Sequence, residues 1–187
     1  MAFKDKFAVF QTITVNDSII LRQADFTLDA EAFCEIYADA DAFKWYIGYE
    51  KAPNTATTKI ILQNQIRDFE KARMYCWVIA DRKTNQAIGR IHLSSFDNNN
   101  TCANIGYFLS RKYWQQGITS ACVAPVVKFG FEKLSLKRID TKVETNNIGS
   151  WKVLEKNGFL REGTLRQCFL LKDGLHDCYL YAKLSAD

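Results

Sequence analysis

Between Ala103-Asn104-Ile105-Gly106-Tyr107-Phe108-Leu109-Ser110, which reads as a strand, and the apolar run that begins at Ile118 lies the turn Tyr113-Trp114-Gln115-Gln116-Gly117. A strand that ends in a polar, glycine-bearing turn and opens at once into a helix exposes several backbone N–H groups and the positive end of a helix dipole at one point. The junction therefore demands a fold that mixes strands and helices, and it forms a cradle for phosphate. The kind of phosphate ligand is narrowed by what is missing. The chain has no G-x-x-x-x-G-K-[ST], which excludes a P-loop, and Gly117 is the one glycine of the turn where a dinucleotide fingerprint needs three.

Hydrophobic periodicity and turn residues predict a strand over 13–23, helices over 29–39 and 55–72, and strands over 74–81 and 86–96. A strand follows over 102–110, then a helix over 118–134, a strand over 138–146, a helix over 148–157 and strands over 159–171 and 176–184. Hairpins early and late with alternation between them predict an α/β (α+β) fold, a mixed and mostly antiparallel central sheet with helices on both faces. Pro125 falls inside the 118–134 helix, where it removes a hydrogen bond and crowds the preceding turn, so a kink is expected there. No linker or repeat divides residues 1–187, and the length suits one domain with one core.

Six cysteines (Cys34, Cys76, Cys102, Cys122, Cys168, Cys178) show no C-x-x-C spacing and no secretory leader precedes them, which predicts reduced, buried thiols in a cytoplasmic protein. His92 and His176 have no partner at metal-ligand spacing, so no metal is expected. No apolar run is long enough to span a membrane. Residues 111–138 carry Arg111, Lys112, Lys128, Lys133, Lys137 and Arg138 against Glu132 alone, a local balance of +5 in a chain of net charge +4. That excess suits either a polyanionic ligand at the cradle or a solvated basic helix face. Without an interleaved aromatic-basic pattern it does not indicate nucleic acid.

The turn, with Trp114, Gly117 and Thr119 at its key positions, resembles motif A of the GCN5-related N-acetyltransferases (GNAT), Arg/Gln-x-x-Gly-x-Gly/Ala. It is closer to the RimJ/RimL-like branch, the ribosomal-protein N-acetyltransferases, which commonly read Tyr-Trp-Gly-x-Gly-x-Ala-Thr-Glu-Ala. The resemblance continues in Asn147-Ile148-Gly149-Ser150 followed by Leu154, Lys156 and Gly158-Phe159, in Glu162-Gly163-Thr164-Leu165-Arg166, and upstream in Ile19-Ile20-Leu21-Arg22. It spans about residues 19–184. Read without it, Asn147 and Ser150 are a helix cap and Gly158-Phe159 a helix stop.

The resemblance implies a GNAT fold and acetyl-CoA as the cofactor, with free coenzyme A as product. It implies that Gln115, Gln116, Gly117, Ile118, Thr119 and Ser120 bind the pyrophosphate, that backbone groups of Phe108, Leu109 and Ser110 pair with the pantetheine arm where the sheet opens, and that Asn147 binds that arm. Ser150 would assist the leaving thiolate. The tyrosine that many relatives carry seven residues after the asparagine is Leu154 here, which argues against a tyrosine acid. No carboxylate survives at the family's base positions, which read Lys142, Asn104 and Arg166-Gln167-Cys168-Phe169.

A weak base favours an acceptor that is already partly neutral. An α-amine with a pKa near 8 is about one-tenth neutral at pH 7, whereas a lysine-like amine near 10.4 is neutral in about one molecule in 2,500. The expected acceptor is therefore a protein or peptide N-terminus. A small amine such as a polyamine or antibiotic is the alternative, and the missing base also admits an acyl-CoA-binding protein without catalysis. The acidic run Asp25, Asp29, Glu31, Glu35, Asp39 and Asp41, followed by Phe43, Trp45, Tyr46 and Tyr49, is either a solvated helix face beside core aromatics or a surface for a basic peptide. A monomer and a homodimer remain equally open.

Overall fold

The computed structural model describes residues 2–45 and 54–187, so Tyr46 and Tyr49 of the aromatic group lie outside the described residues. Eight strands form one sheet in the order β1-β2-β3-β4-β5-β6-β8-β7. They are β1 (Ile13–Thr14), β2 (Ile19–Arg22), β3 (Met74–Asp81), β4 (Ala87–Ser94), β5 (Cys102–Leu109), β6 (Arg138–Glu144), β7 (Leu160–Leu171) and β8 (Gly174–Leu184). All neighbours are antiparallel except β5 and β6. The helices are α1 (Ala30–Ala38), α2 (Ala40–Phe43), α3 (Thr55–Glu70), α4 (Ile118–Glu132) and α5 (Ile148–Lys156).

Helices cover both faces, as the alternation predicts. Along β3 the side chains turn to opposite sides with period two. Trp77 and Ile79 join Ile91, Ile105, Val123, Val126, Ile139 and Leu154 in the core under α4 and α5. Val78 and Ala80 join Ala30, Phe33, Leu62 and Phe108 under α1 and α3. Coverage on both sides explains why β3 is buried from Tyr75 to Ala80 without alternating. Each fully buried large apolar side chain contributes roughly 1.5–3 kcal/mol relative to exposure.

Several expectations are corrected. The strand predicted over 13–23 is a hairpin, because Asn16 Oδ1 accepts from the N–H groups of Ser18 (2.8 Å) and Ile19 (2.9 Å) and so builds a side-chain turn. A 3-10 segment at Phe3–Phe7 packs Phe7 against Phe69 and Tyr75 at centroid distances of 5.5 and 5.3 Å. Cys168 and Cys178 are joined by a disulfide across the β7–β8 hairpin, and Cys34 and Cys102 are only half-buried. The expectation of thiols that are both free and buried therefore holds for Cys76 and Cys122, while Cys178 is buried within the disulfide. The pairing arises because β7 bulges: Leu165 opposes Cys178 while Phe169 opposes His176, so Arg166, Gln167 and Cys168 face Asp177. α4 stays helical from Ile118 to Glu132 with Pro125 inside it. Among the described residues no helix is long and apolar enough to cross a membrane.

Candidate active site

The parallel strands β5 and β6 pair only from Cys102–Arg138 to Asn104–Asp140. Beyond that point β5 continues along β4 as far as Leu109 opposite Gly89, and β6 continues along β8 as far as Glu144 opposite Cys178. Each is held by its outer neighbour while, among the described residues, no strand pairs with the inner edges, so a wedge opens between them. The N–H of Ser110 donates to the Ile88 carbonyl (2.8 Å), which turns the backbone of Ser110, and by the period of two that of Phe108, towards β4. Tyr107 and Leu109 therefore face the wedge. This shifts the backbone groups available there from those expected at Phe108 and Ser110, and keeps Leu109. The Leu109 carbonyl is already occupied by the indole N–H of Trp114 (2.8 Å), leaving its N–H as the donor on that side.

At the end of β5 a 3-10 turn, Arg111–Tyr113, leads to Gln115 at φ 61° and Gly117 at φ 75°. Gly117 is the N-cap of α4, and a Cβ built on it would meet nothing within 4 Å. The positive φ calls for glycine, and a Cβ there would enter open space. The Ala121 N–H donates to the Gly117 carbonyl (3.0 Å), so the N–H groups of Ile118, Thr119 and Ser120 precede the helical ladder. α4 has no acid in its first turn to offset its dipole. The side chains around this point brace it: Gln116 Nε2 donates to the Lys112 carbonyl (3.1 Å), and Asn157 Nδ2 donates to Ser120 Oγ (3.0 Å), tying α4 to α5. Trp114, the departure from the family's motif, is a strut between the turn and β5. The amides from Gln115 to Ser120 can hold a diphosphate.

On the other side of the wedge, Asn147 caps α5 by accepting from the Ser150 N–H (3.3 Å). The Ser150 hydroxyl lies 3.1 Å from the phenol of Tyr107, which also lies 3.1 Å from the Ser150 carbonyl. Tyr107 thus spans from β5 to α5. Burial pushes its phenol pKa well up, against the smaller opposite effect of the Ser150 hydrogen bond, so it stays protonated. Its single proton has two acceptors. When it goes to Ser150 Oγ, the serine proton is released to point elsewhere; when it goes to the carbonyl, the phenol oxygen can accept from the serine. Sequence reasoning missed Tyr107, although strand alternation from Ile105 and Leu109 puts it on the α5 side.

The ion pairs decide between readings that the sequence left open. Arg22 binds the buried Asp29, Arg111 binds Asp39 and Asp41, and Asp25 accepts from the N–H groups of Thr27 and Leu28. Four acids of the run are thereby committed to internal partners, which removes most of a surface for a basic peptide. Phe43, next in that stretch, is core. Arg138 is likewise bound to Asp140 and Glu162, and it lies opposite Cys102, at the end of β5 remote from the cradle. Two further polar groups escaped sequence reasoning. Glu144, buried at the end of β6, accepts from the Asn146 N–H (2.6 Å) and lies 3.3 Å from His176 Nδ1. His92 lies over Gly106, whose Cβ would sit 2.5 Å from the ring, and burial first and then Arg90 push its pKa down to about 3. No His, Cys, Asp and Glu cluster among the described residues could hold a metal.

This geometry agrees with what the chain is similar to. Residues 18–160 match the family model described as an acetyltransferase (GNAT) domain. An uncharacterized N-acetyltransferase of Bacillus subtilis (strain 168), YoaA, is 31% identical over 170 residues, 91% of this chain and 95% of that protein. The ribosomal-protein-serine acetyltransferase of Escherichia coli (strain K12) is 32% identical over 102 residues, 54% of this chain and 57% of that one. The fold matches that of RimL, a ribosomal L7/L12 alpha-N-protein acetyltransferase solved in complex with coenzyme A, with a TM-score of 0.85 at 23% identity over 95% of this chain and 100% of that one. The chain belongs to the GNAT acetyltransferase family and is an acetyl-CoA-dependent acyltransferase.

Proposed function

We propose that this protein acetylates the α-amine at the N-terminus of a protein or peptide. The observation that carries this reading is the wedge itself, which runs from the amides before α4 to the Tyr107–Ser150 pair without a free carboxylate side chain on β5, the turn or the start of α5 among the described residues. The diphosphate of acetyl-CoA would lie on the amides of Gln115 to Ser120, and the pantetheine arm would run along Tyr107 and Leu109 towards Asn147. The amine nitrogen attacks the thioester carbonyl carbon, and the Leu109 N–H is the donor offered to the resulting oxyanion. As the carbon–sulfur bond breaks, the thiolate takes the Ser150 hydroxyl proton. Ser150 recovers a proton from the acetylated nitrogen, directly or through water, and Tyr107 holds the serine in place meanwhile.

The acceptor class rests on the chemistry of the amine. Glu144 is buried and already surrounded by donors, and burial keeps His92 a very weak base, so neither can take a proton from a lysine-like ammonium. The E. coli relative's acceptor, a ribosomal-protein serine, points to the same class. The test is thiol release from acetyl-CoA at pH 7 with N-terminal peptides, spermidine and aminoglycosides in parallel. The reading expects the fastest turnover on an α-amine. Faster turnover on spermidine than on every α-amine would refute it.

A further inference from the structure

We propose that His176 is a positioning residue for this transfer: from the β7–β8 hairpin it clamps Glu144, and through Glu144 it fixes the turn from which Asn147 and Ser150 project. The proposal rests on the reading of Ser150 given above. Glu144 is 1% exposed and is the hub of that turn. Its carboxylate accepts from the Asn146 N–H (2.6 Å), from Asn146 Nδ2 (3.0 Å) and from Thr145 Oγ (3.4 Å), and its backbone carbonyl accepts from the Asn147 N–H (2.9 Å). Asn147 then caps α5 on the Ser150 N–H, and Ser150 meets Tyr107 across the wedge. An unbroken run of hydrogen bonds thus links a hairpin side chain to the hydroxyl proposed to protonate the thiolate.

The turn already supplies donors to Glu144, so His176 adds something other than one more hydrogen bond. Its Nδ1 lies 3.3 Å from Glu144 Oε1 and its Nε2 lies 2.8 Å from Asp173 Oδ1. A carboxylate at each ring nitrogen can be satisfied on both sides only when both nitrogens carry protons, so the geometry selects the imidazolium. What reaches Glu144 is a positive charge beside a buried carboxylate, where water screens little. The hydrogen bond to Glu144, and after it that to Asp173, hold the His176 pKa above its ordinary 6.5. The sign follows. A raised pKa means that the clamp is complete below the ordinary histidine pKa and is lost as pH rises through the folded value.

The charged groups that face His176 are Glu144 from β6 and Asp173 from the hairpin turn. Asp177 is turned to the bulge, where it accepts from the Gln167 N–H (2.8 Å) beside Arg166, and Lys172 precedes Asp173 in the turn. Neither Asp177 nor Arg166 nor Lys172 is a hydrogen-bond partner of the ring.

The test compares the wild type with His176→Asn and Asp173→Asn by thiol release on a fixed N-terminal peptide from pH 6 to 9.5. Ionisation of the peptide amine affects all three alike and cancels in the ratio of rates. His176→Asn keeps a neutral donor near Glu144 and removes the charge, so the ratio of wild-type to variant kcat should be about tenfold at the acid end, the scale of a small misplacement of a reacting group, and should approach one at the alkaline end. Asp173→Asn, at an exposed site, should move the midpoint of that fall to lower pH. A ratio constant across the range, or a midpoint indifferent to Asp173→Asn, would overturn the proposal, since a merely structural histidine gives that result. Ser150→Ala in the same assay separates the two readings: full activity in that variant removes the thiolate role of Ser150 and leaves the histidine inflection to be judged by its own ratio.

Discussion

Replacing Gly117 by alanine perturbs the cradle with the least disturbance elsewhere. The backbone there has φ 75°, where an L-residue costs about 1–2 kcal/mol. The alanine also narrows the unfolded ensemble, which returns about 0.4–1 kcal/mol. The added Cβ meets no protein atom within 4 Å, so no clash adds to this and the net loss of stability should be about 1 kcal/mol. In a chain of this size that lowers Tm by roughly 2–4 °C. The same strain, relieved by a shift of the left-handed N-cap, would move the first-turn amides out of line with a diphosphate. Losing one hydrogen bond to a charged group costs about 1.5–3 kcal/mol, which is roughly a 10- to 150-fold rise in Kd. Calorimetry with coenzyme A reads the affinity and a thermal melt without ligand reads the stability. S-acetylpantetheine, which lacks the diphosphate, serves as the control and should serve both proteins equally poorly. An unchanged coenzyme Kd in a variant whose Tm has fallen would refute the reasoning.

Tyr107→Phe keeps the ring and removes the hydroxyl that holds Ser150, so kcat should fall about tenfold with a smaller change in the KM for acetyl-CoA, measured by steady-state thiol release. Leu154→Ala empties a fully buried site on α5 and should destabilise the fold by about 2–5 kcal/mol in urea unfolding. The buried His92, with its pKa depressed to about 3, stabilises the fold fully above pH 6.5 and progressively less as pH falls towards 3. His92→Gln should therefore flatten the acid limb of stability against pH, as followed by circular dichroism.

The run from β5 to α5 was legible because its boundaries are written in local chemistry: a glycine at positive φ before α4, an asparagine cap before α5 and Gly158 after it. β3 was legible to the residue because it is apolar throughout and ends in the turn that Asp81 nucleates. The β1–β2 hairpin was not, since its turn is made by the Asn16 side chain and hydropathy does not register it. The disulfide depends on a bulge that no spacing rule foretells. Gly117 as the N-cap of α4 and Asn147 as the cap of α5 were readable from local sequence, whereas the Tyr107–Ser150 and Glu144–His176 contacts exist only once elements far apart in sequence are laid side by side. The choice between the two readings of the acidic run was not legible for the same reason, because its partners Arg22 and Arg111 lie on other elements.

Nuclear magnetic resonance of the backbone amides during a titration with coenzyme A addresses the proposed seat of the cofactor residue by residue. The N–H signals of Gly117, Ile118, Thr119 and Ser120 should move most, as a diphosphate draws them into hydrogen bonds, and those of Tyr107 and Leu109 should move with them at the same saturation. Binding that leaves these six amides still while others shift would contradict the account.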